Sequence, residues 1–264
     1  MLFLFKLIIL ALFQGVGEIL PISSSGHLII LERLFNIDSN DLTIEILLHL
    51  ASLLALTFYY FDFIKNMVRK VYLYLFKKKK EYYLEWNYFT TLLIASIPTC
   101  LIGLILNNYL DKLVSYISIL LIFNGVLLLV TKYKDNSKNI EDLTIKDKLK
   151  LGVIQSLGLV PGISRSGTCL MGCNFIKLNK EDSFNLTFLL LFPLVIGSVI
   201  LNLGDFVIDA NLIVPYIIIF LITFMTTYIS MTLLHSLVSK GKSKIFGVYC
   251  VSIGVIYSII LLVI

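Results

Sequence analysis

Long apolar runs alternate with short polar connections along this chain, and six of the runs are long enough to be membrane-spanning helices. Each approaches the ~20 residues that an α-helix needs to cross the hydrocarbon core of a bilayer. The predicted spans are 44–62, 87–107, 114–131, 184–203, 212–235 and 245–264. Because the runs are continuous rather than alternating over short segments, they favour helices over the strands of a membrane β-barrel. We predict an all-α polytopic membrane protein.

Two further apolar regions, 2–30 and 148–177, are interrupted near their middles by proline, glycine and serine. These residues break a helix and free backbone groups that lipid cannot satisfy. Such backbone is tolerated at membrane depth only where it is buried in protein or lines a wet cavity. We therefore interpret both regions as re-entrant helix–loop–helix elements.

The two interruptions contain the same short polar segment. It reads QGVGEILPISSSGH from Gln14 to His27 and QSLGLVPGISRSGT from Gln155 to Thr168. The matching pairs are Gln14 and Gln155, Gly17 and Gly158, Ile22 and Ile163, Ser23 and Ser164, Ser25 and Ser166, and Gly26 and Gly167. The first copy adds a carboxylate and a histidine, and the second adds an arginine. This division of groups suggests two halves of one site, with an anion between them.

Composition agrees with a membrane protein, since 58% of the 264 residues are hydrophobic and only 15% are charged. The net charge of +5 comes from basic residues between the apolar runs, so it predicts topology rather than nucleic-acid binding. The basic residues predicted to be cytoplasmic are Lys65, Arg69, Lys70, Lys77 to Lys80, Lys132, Lys134, Lys138, Lys146, Lys148, Lys150, Lys177, Lys180, Lys240, Lys242 and Lys244. The connections 38–41, 107–112 and 202–211 are acidic or nearly neutral and are predicted to face outward.

This charge pattern gives the two broken elements opposite orientations. The first would enter and leave from the outer side, and the second from the cytoplasmic side, each followed by three spans. We predict a single membrane domain over 1–264, built from inverted repeats at about 1–131 and 144–264, with the broken elements meeting near the midplane.

Three charged or titratable residues of the broken elements, Glu18, His27 and Arg165, are candidates for function because charge at membrane depth costs a few kcal/mol. Arg165 can hold a phosphate in a bidentate fork, and glycine-rich loops before helix N-termini present backbone N–H groups to an anion. Two structural alternatives remain: Glu18 and Arg165 could merely neutralise each other, and the small residues could serve helix packing. The candidate binding residues are Gln14, Ser23, Ser25, Gly26, Gly162, Ser164, Ser166, Gly167 and Thr168.

His27 is suited to proton transfer near neutral pH, although a buried structural histidine is the alternative. Gln14 and Glu18 are four residues apart and project from one helical face. This pair could bind a divalent cation such as Mg²⁺ or Ca²⁺ through oxygen, with Glu18 as the ligand, or orient a nucleophilic hydroxyl. Glu45 and His49 repeat the same spacing on the next span. No organic cofactor is expected.

These segments resemble the motifs of undecaprenyl-diphosphate phosphatases of the bacitracin-resistance type. In that family an (E/Q)xxxE stretch runs into Pro-x-Ser-Ser-x-Gly-His, and Pro-Gly-x-Ser-Arg-Ser-Gly follows later. Here the motifs are Gln14 with Glu18, PISSSGH at 21–27 and PGISRSG at 161–167. Length, motif spacing and hydrophobic profile agree with the family along essentially the whole chain.

The resemblance implies an enzyme of the plasma membrane that hydrolyses a C55 polyprenyl diphosphate to the monophosphate and inorganic phosphate. This reaction recycles the lipid carrier for cell-wall synthesis and confers bacitracin resistance. The family has its site open to the outer face and forms homodimers. Transferred to the matching motif positions of this chain, the family's catalytic residues are Glu18, Ser24, His27 and Arg165, and Gln14 supports them.

The chain departs from the family at two positions. Cys169 stands where the family often has threonine, so Thr168 is the candidate for that donor. Asn185 stands where the family usually has glutamate. Gln14 is within the family's choice of glutamate or glutamine, but it rules out any catalytic mechanism that needs two carboxylates in the first motif.

The expected mechanism places the diphosphate between the two loops, with the prenyl tail leaving into lipid. Arg165 and loop N–H groups hold the phosphates, Ser24 or a water attacks the terminal phosphorus, Glu18 positions the nucleophile and His27 exchanges the proton. The rival function is a transporter or flippase for a lipid phosphate or another anion, since such proteins also use inverted repeats with broken helices. A nucleophile beside a proton donor favours hydrolysis, because transport needs neither.

Overall fold

A computed structural model describes residues 1–37, 42–131, 136–201, 204, 206, 208–239 and 244–263. Over these residues the chain is helical, apart from one parallel bridge between Lys138 and Leu178. The helices are α1 (Leu2–Ile19), α2 (Ser24–Phe35), α3 (Leu42–Tyr59), α4 (Phe61–Lys77), α5 (Tyr83–Leu113), α6 (Ile117–Val130), α7 (Ile145–Gln155), α8 (Arg165–Phe175), α9 (Lys180–Leu189), α10 (Leu191–Leu201), α11 (Ile213–Ser239) and α12 (Lys244–Val263).

Length and hydropathy identify five stretches that could cross a membrane, or six if one bent pair of helices counts as a span. The five are Leu2–Ile19, Lys80–Leu106, Lys180–Leu201, Ala210–Leu233 and Lys244–Leu262. The bent pair consists of α3 and α4, which meet at an angle of 74°. These helices and candidate spans confirm the prediction of an all-α polytopic membrane protein.

Several predicted elements differ from the structure. Helix α1, predicted as the first half of a re-entrant element, is by itself long and apolar enough to cross a membrane. The stretch that follows the predicted span 44–62 is not a loop but helix α4. It forms a helix because it is amphipathic: Met67 and Val71 are buried, whereas Lys65 and Arg69 lie on the exposed side. The predicted span 114–131 corresponds to α6, which is shorter than the other candidate spans.

Glycines allow the close packing of α6 against α12. A Cβ atom added to Gly125 would lie 2.6 Å from the carbonyl oxygen of Gly247, and one added to Gly254 would lie 2.7 Å from that of Ser118. Small residues let helix backbones approach in this way where van der Waals contact, rather than the hydrophobic effect, must hold helices together. This packing brings α12 next to the loop that follows α1.

The topology prediction rests partly on residues outside those described. They include the predicted outer connection 38–41, part of the connection 202–211, and the basic residues Lys132, Lys134, Lys240 and Lys242.

Candidate active site

The second helix of each interrupted region begins with the same serine cap. Ser23 is the N-cap of α2, and its Oγ accepts a hydrogen bond from the backbone N–H of Gly26 at 3.2 Å. Ser164 is the N-cap of α8, and its Oγ accepts from the backbone N–H of Gly167 at 3.1 Å. A serine hydroxyl here satisfies one of the N–H groups that every helix leaves free at its start. The repeated sequence therefore builds a repeated cap.

The hydroxyls beside the caps are paired in both copies. Ser23 Oγ lies 3.4 Å from Ser25 Oγ, and Ser164 Oγ lies 3.1 Å from Ser166 Oγ. Ser23 itself has a positive φ of 68°, which is uncommon for a residue with a side chain. Backbone strain of this kind occurs most often at functional sites, where the surrounding structure keeps the residue in the unfavourable conformation.

The two loops touch each other through glycines. A Cβ added to Gly26 would lie 3.0 Å from the Cα of Gly162, so no larger residue fits at this contact without a shift. Gly162 also has a φ of +89°, a conformation that glycine adopts readily. The N-termini of α2 and α8 therefore converge, and both present the positive end of a helix dipole to the same place.

Asn124, on α6, joins the two loops and was not singled out from the sequence. Its Oδ1 accepts from the backbone N–H of Ser164 at 3.0 Å, and its Nδ2 donates to the carbonyl of Pro21 at 3.4 Å. The side chain is buried. One amide thus fixes the two copies relative to each other.

Replacing Asn124 with alanine is expected to destabilise the fold by about 1–3 kcal/mol, because a buried N–H and a buried C=O lose their partner. The measurement is the thermal midpoint of the protein in detergent. Asn124→Asp is the matched comparison, since it keeps the acceptor for Ser164 and removes the donor to Pro21. Equal midpoints for wild type and Asn124→Ala would contradict the bridging role.

A buried carboxylate accepts two hydrogen bonds at the end of α1. Ser24 Oγ donates to Glu18 Oε2 at 2.8 Å, and Gln14 Nε2 donates to the same oxygen at 3.1 Å. Only 4% of the Glu18 side chain is exposed. The hydroxyl of Ser24 is thereby oriented by a group that can accept its proton.

Arg165 faces the other oxygen of the same carboxylate. Its Nη1 lies 3.6 Å from Glu18 Oε1, too far for a hydrogen bond but within range of an ion pair. Among the described residues, its buried Nε and Nη1 atoms have no hydrogen-bond partner. Buried donors are normally paired. The guanidinium therefore has donors left for an anion.

His49 completes this cluster, although no catalytic role for it was predicted from the sequence. Its Nδ1 lies 3.0 Å from Gln14 Nε2 and 3.6 Å from Glu18 Oε2. The available signal was the spacing of Glu45 and His49, which repeats that of Gln14 and Glu18 on a neighbouring helix.

His27 lies in different surroundings. Its Nδ1 is 2.8 Å from the carbonyl oxygen of Ser23, and its Nε2 is 3.0 Å from the hydroxyl of Tyr249. Because a carbonyl only accepts, Nδ1 carries the proton and Nε2 accepts from Tyr249. The ring also stacks between Phe13 and Tyr249. Within the described residues no hydrogen bond joins His27 to Ser24 or Glu18.

The remaining candidates bind protein groups. Thr168 Oγ1 donates to the carbonyl of Arg165 at 3.0 Å, and Cys169 Sγ lies 3.7 Å from Gln155 Oε1. Asn185 accepts a hydrogen bond from the hydroxyl of Tyr60 at 3.4 Å. The structure thus brings Gln14, Glu18, Ser24 and Arg165 together and adds His49 to them.

Two cavities lie near the loops. An apolar cavity of about 390 Å³ lies between α1 and α12, reaches the loop after α1 at Ile22, and is lined by Leu12, Phe13, Val16, Leu20, Ile22, Ile245, Phe246 and Tyr249. A smaller pocket of about 90 Å³ has a polar lining of Glu45, His49, Arg165 and Ser198, of which His49 and Arg165 belong to the cluster. The first cavity suits hydrocarbon and the second suits a small polar group.

Comparison with known families identifies the chain. The model of the bacitracin resistance protein BacA family matches residues 7–256. The chain belongs to this family. It is 34% identical over 265 residues to undecaprenyl-diphosphatase 2 of Bacillus thuringiensis (strain Al Hakam), with 98% of each chain covered. It is 36% identical over 247 residues to an undecaprenyl-diphosphatase of Methanococcus maripaludis, with 92% of this BacA-family chain and 94% of the relative covered.

Proposed function

We propose that this chain hydrolyses undecaprenyl diphosphate to undecaprenyl monophosphate and inorganic phosphate, which recycles the lipid carrier for cell-wall synthesis and confers bacitracin resistance. The curated relatives carry the name of this activity. One observation supports it most directly: among the described residues, Arg165 has buried donors without a hydrogen-bond partner, beside a carboxylate that orients a serine hydroxyl. An anion-binding group and a prepared nucleophile are what phosphoryl transfer requires.

We also propose the finer architecture that the sequence predicted. The matched caps at Ser23 and Ser164, and the contact between Gly26 and Gly162, support inverted repeats at about 1–131 and 144–264 whose broken elements are re-entrant. Six spans surround them. In keeping with the family resemblance, the protein is a homodimer of the plasma membrane whose site opens to the outer face.

The two cavities support one orientation of the bound substrate. The diphosphate lies at the convergent N-termini of α2 and α8, and the first isoprene units occupy the apolar cavity between α1 and α12. That cavity holds only part of a C55 chain, so the rest of the tail continues into lipid. The terminal phosphate then points toward the small pocket beside Arg165.

The chemistry follows from the contacts of Ser24. Its Oγ bonds to the terminal phosphorus as the bond from phosphorus to the bridging oxygen breaks, and its proton passes to Glu18 at 2.8 Å. Water then cleaves the phosphoserine and frees inorganic phosphate. In the alternative route, water occupies the position of attack and Glu18 takes the proton from water. Arg165 and the loop N–H groups hold the phosphates in both routes.

His27 does not take the proton of Ser24 in this scheme. It is held by Ser23 and Tyr249 and stands at the wall of the apolar cavity, since Phe13 and Tyr249 line that cavity. We propose that it positions the loop through the carbonyl of Ser23 and meets the diphosphate on the side of the tail.

The residues present offer a limited fit to a divalent cation. Within the described part of the chain no three histidine, cysteine or acidic side chains form a metal cluster. The carboxylate of Glu18 could supply one oxygen ligand, and the buried Oε1 atom of Gln14, which has no hydrogen-bond partner in the part of the chain that the structure describes, could supply a second. Mg²⁺ or Ca²⁺ held there would neutralise phosphate charge, and the substrate would supply the remaining oxygens. We propose no organic cofactor.

Ser24→Ala distinguishes the two routes of attack. If Ser24 is the nucleophile, the variant is expected to lose roughly 10²-fold or more of the turnover, because both the nucleophile and its oriented proton disappear. Ser258→Ala, on α12, is the matched control and should keep wild-type turnover. Near wild-type turnover in Ser24→Ala, with loss in Arg165→Ala, would exclude the covalent route and leave direct attack by water.

The test of the function itself is phosphate release from C55 polyprenyl diphosphate by detergent-purified protein, with and without divalent cations. We expect one phosphate and one polyprenyl monophosphate per substrate. No release by folded protein under either condition would reject the proposal, and a liposome flux assay would then examine the transporter function.

A further inference from the structure

A large apolar groove lies on the surface between α7 and α8, beside the second motif. It is lined by Thr131, Leu149, Lys150, Val153, Ile154, Leu157, Met171, Asn174 and Phe175. The groove is open to its surroundings, since Val153 is 52% exposed and Phe175 is 65% exposed. These residues are distinct from the cluster around Glu18 and Arg165, so the proposed mechanism leaves the groove unused.

The groove repeats the position of the apolar cavity beside the first motif. In the register that matches Gln14 with Gln155, three of its residues correspond to three that line the cavity between α1 and α12. The equivalent pairs are Leu12 and Val153, Phe13 and Ile154, and Val16 and Leu157. The groove is about twice as large as that cavity, at about 800 Å³ against about 390 Å³. It therefore has room for more hydrocarbon than the cavity to which we assign the prenyl tail.

A basic pocket adjoins this groove. It has a volume of about 240 Å³ and is lined by Lys138, Asp147, Lys150, Phe175, Ile176 and Lys177. Two of these residues, Lys150 and Phe175, also line the groove, so the two spaces are continuous. A long apolar surface that leads into a small basic pocket matches a molecule with hydrocarbon chains and an anionic head group.

The pocket has an excess of positive charge. Lys138 is neutralised by Asp147, with 2.7 Å between Nζ and Oδ2. Within the described part of the chain, no ion pair engages Lys150 or Lys177. All three lysines belong to the set that the positive-inside rule places on the cytoplasmic side. The lipids of that leaflet include anionic ones, which attract basic residues at the membrane surface.

We propose that the groove and the basic pocket together bind one anionic phospholipid of the cytoplasmic leaflet. Its phosphate lies between Lys150 and Lys177, and its two acyl chains lie along the apolar side chains of α7 and α8. The volume of the groove favours a lipid with two chains over a second polyprenyl chain. The bound lipid joins α7 to α8, the helix that begins at Arg165. This binding does not depend on the proposed hydrolysis.

The experiment measures the binding of dioleoyl phosphatidylglycerol to detergent-purified protein by native mass spectrometry. Wild type should bind it more tightly than dioleoyl phosphatidylcholine, whose head group has no net charge. Lys150→Gln combined with Lys177→Gln should weaken the binding of phosphatidylglycerol about 30-fold, at about fivefold for each lysine near an anionic lipid. Lys65→Gln combined with Lys244→Gln is the matched control, since it removes the same charge from exposed positions outside the pocket. It should bind as wild type does.

Val153→Trp tests the groove, because the larger ring fills it and leaves both lysines in place. It should weaken the binding of phosphatidylglycerol, whereas Val126→Trp, at a position on α6 that is 45% exposed, should not. The replaced side chains are all exposed, so the buried packing is kept. A thermal midpoint that rises with phosphatidylglycerol in wild type but not in the double lysine variant is the second expected result.

Three outcomes would overturn the proposal. The first is wild-type binding in the double lysine variant, or an equal loss in its control. The second is wild-type binding in Val153→Trp, which would mean that the lysines hold a phosphate group without the groove. The third is tighter binding of polyprenyl monophosphate than of phosphatidylglycerol at this site. The measurements need no turnover, so a failure of the proposed function would leave their result unchanged.

Discussion

Arg165→Ala is expected to lose roughly 10²–10³-fold in turnover, the loss typical of removing one donor that stabilises transition-state charge. KM should rise as well, because the guanidinium binds the ground-state diphosphate with the same donors, its buried Nε and Nη1 atoms, which the described residues leave without a hydrogen-bond partner. The measurement is kcat and KM for phosphate release from C55 polyprenyl diphosphate. Arg33→Ala is the matched control: Arg33 is exposed on α2 and should leave both constants unchanged.

Effects on folding must be separated from effects on catalysis in Arg165→Ala, because alanine leaves the buried carboxylate of Glu18 without the guanidinium that pairs with it. Losing one partner of a buried pair costs about 3–5 kcal/mol. Arg165→Lys addresses this, since it keeps a positive charge near Glu18 but loses the planar fork that grips two phosphate oxygens. We expect a folded Arg165→Lys protein with most of the loss in turnover. Wild-type turnover in Arg165→Lys would show that charge alone suffices, and wild-type turnover in folded Arg165→Ala would remove Arg165 from the site.

The parts of the site that follow local sequence rules could be predicted. A serine three residues before a glycine at the start of a helix is a common N-cap pattern, so both copies of the motif form the same cap at Ser23 and Ser164. The meeting of Glu18 and Arg165 was predicted because the two copies of the motif divide the charged groups between them, and the structure places Arg165 Nη1 3.6 Å from Glu18 Oε1. The direct pairing of the two charges was the structural alternative.

Contacts between distant helices could not be predicted in the same way. His27 was the expected proton carrier because it follows the serines, yet its ring is turned toward Tyr249, far away in the sequence. His49 reaches Glu18 only because α3 packs beside α1, which no local pattern encodes. Asn124 bridges the loops for the same reason.

The boundaries around α4 were wrong for a different reason. Its lysines and arginines indicated a cytoplasmic connection, and charge counting does not reveal whether such a connection is helical. The spacing of Met67 and Val71, four residues apart, was the signal for an amphipathic helix. Positive charge thus reports the side of the membrane, and hydrophobic periodicity reports the structure.

Glu18→Gln is expected to separate catalysis from binding. The amide is nearly the same size and its oxygen can still accept from Ser24, but it is far too weak a base to take the proton. A fall of roughly 10²–10⁴-fold in kcat is therefore expected, the range for losing a general base. KM should stay constant or fall, because the substrate diphosphate no longer meets a negative charge beside Arg165. The measurement is again phosphate release, resolved into kcat and KM.

Glu81→Gln is the matched control, since that side chain is 62% exposed and pairs only loosely with Lys79 at 3.8 Å. It should behave as wild type. The strongest check is the contrast in KM, which should rise in Arg165→Ala but stay constant or fall in Glu18→Gln, because general damage to the fold would change KM in the same direction in both variants. A rise in KM for Glu18→Gln with kcat unchanged would assign Glu18 to binding, through a cation held with Gln14, and would remove it as the base for Ser24.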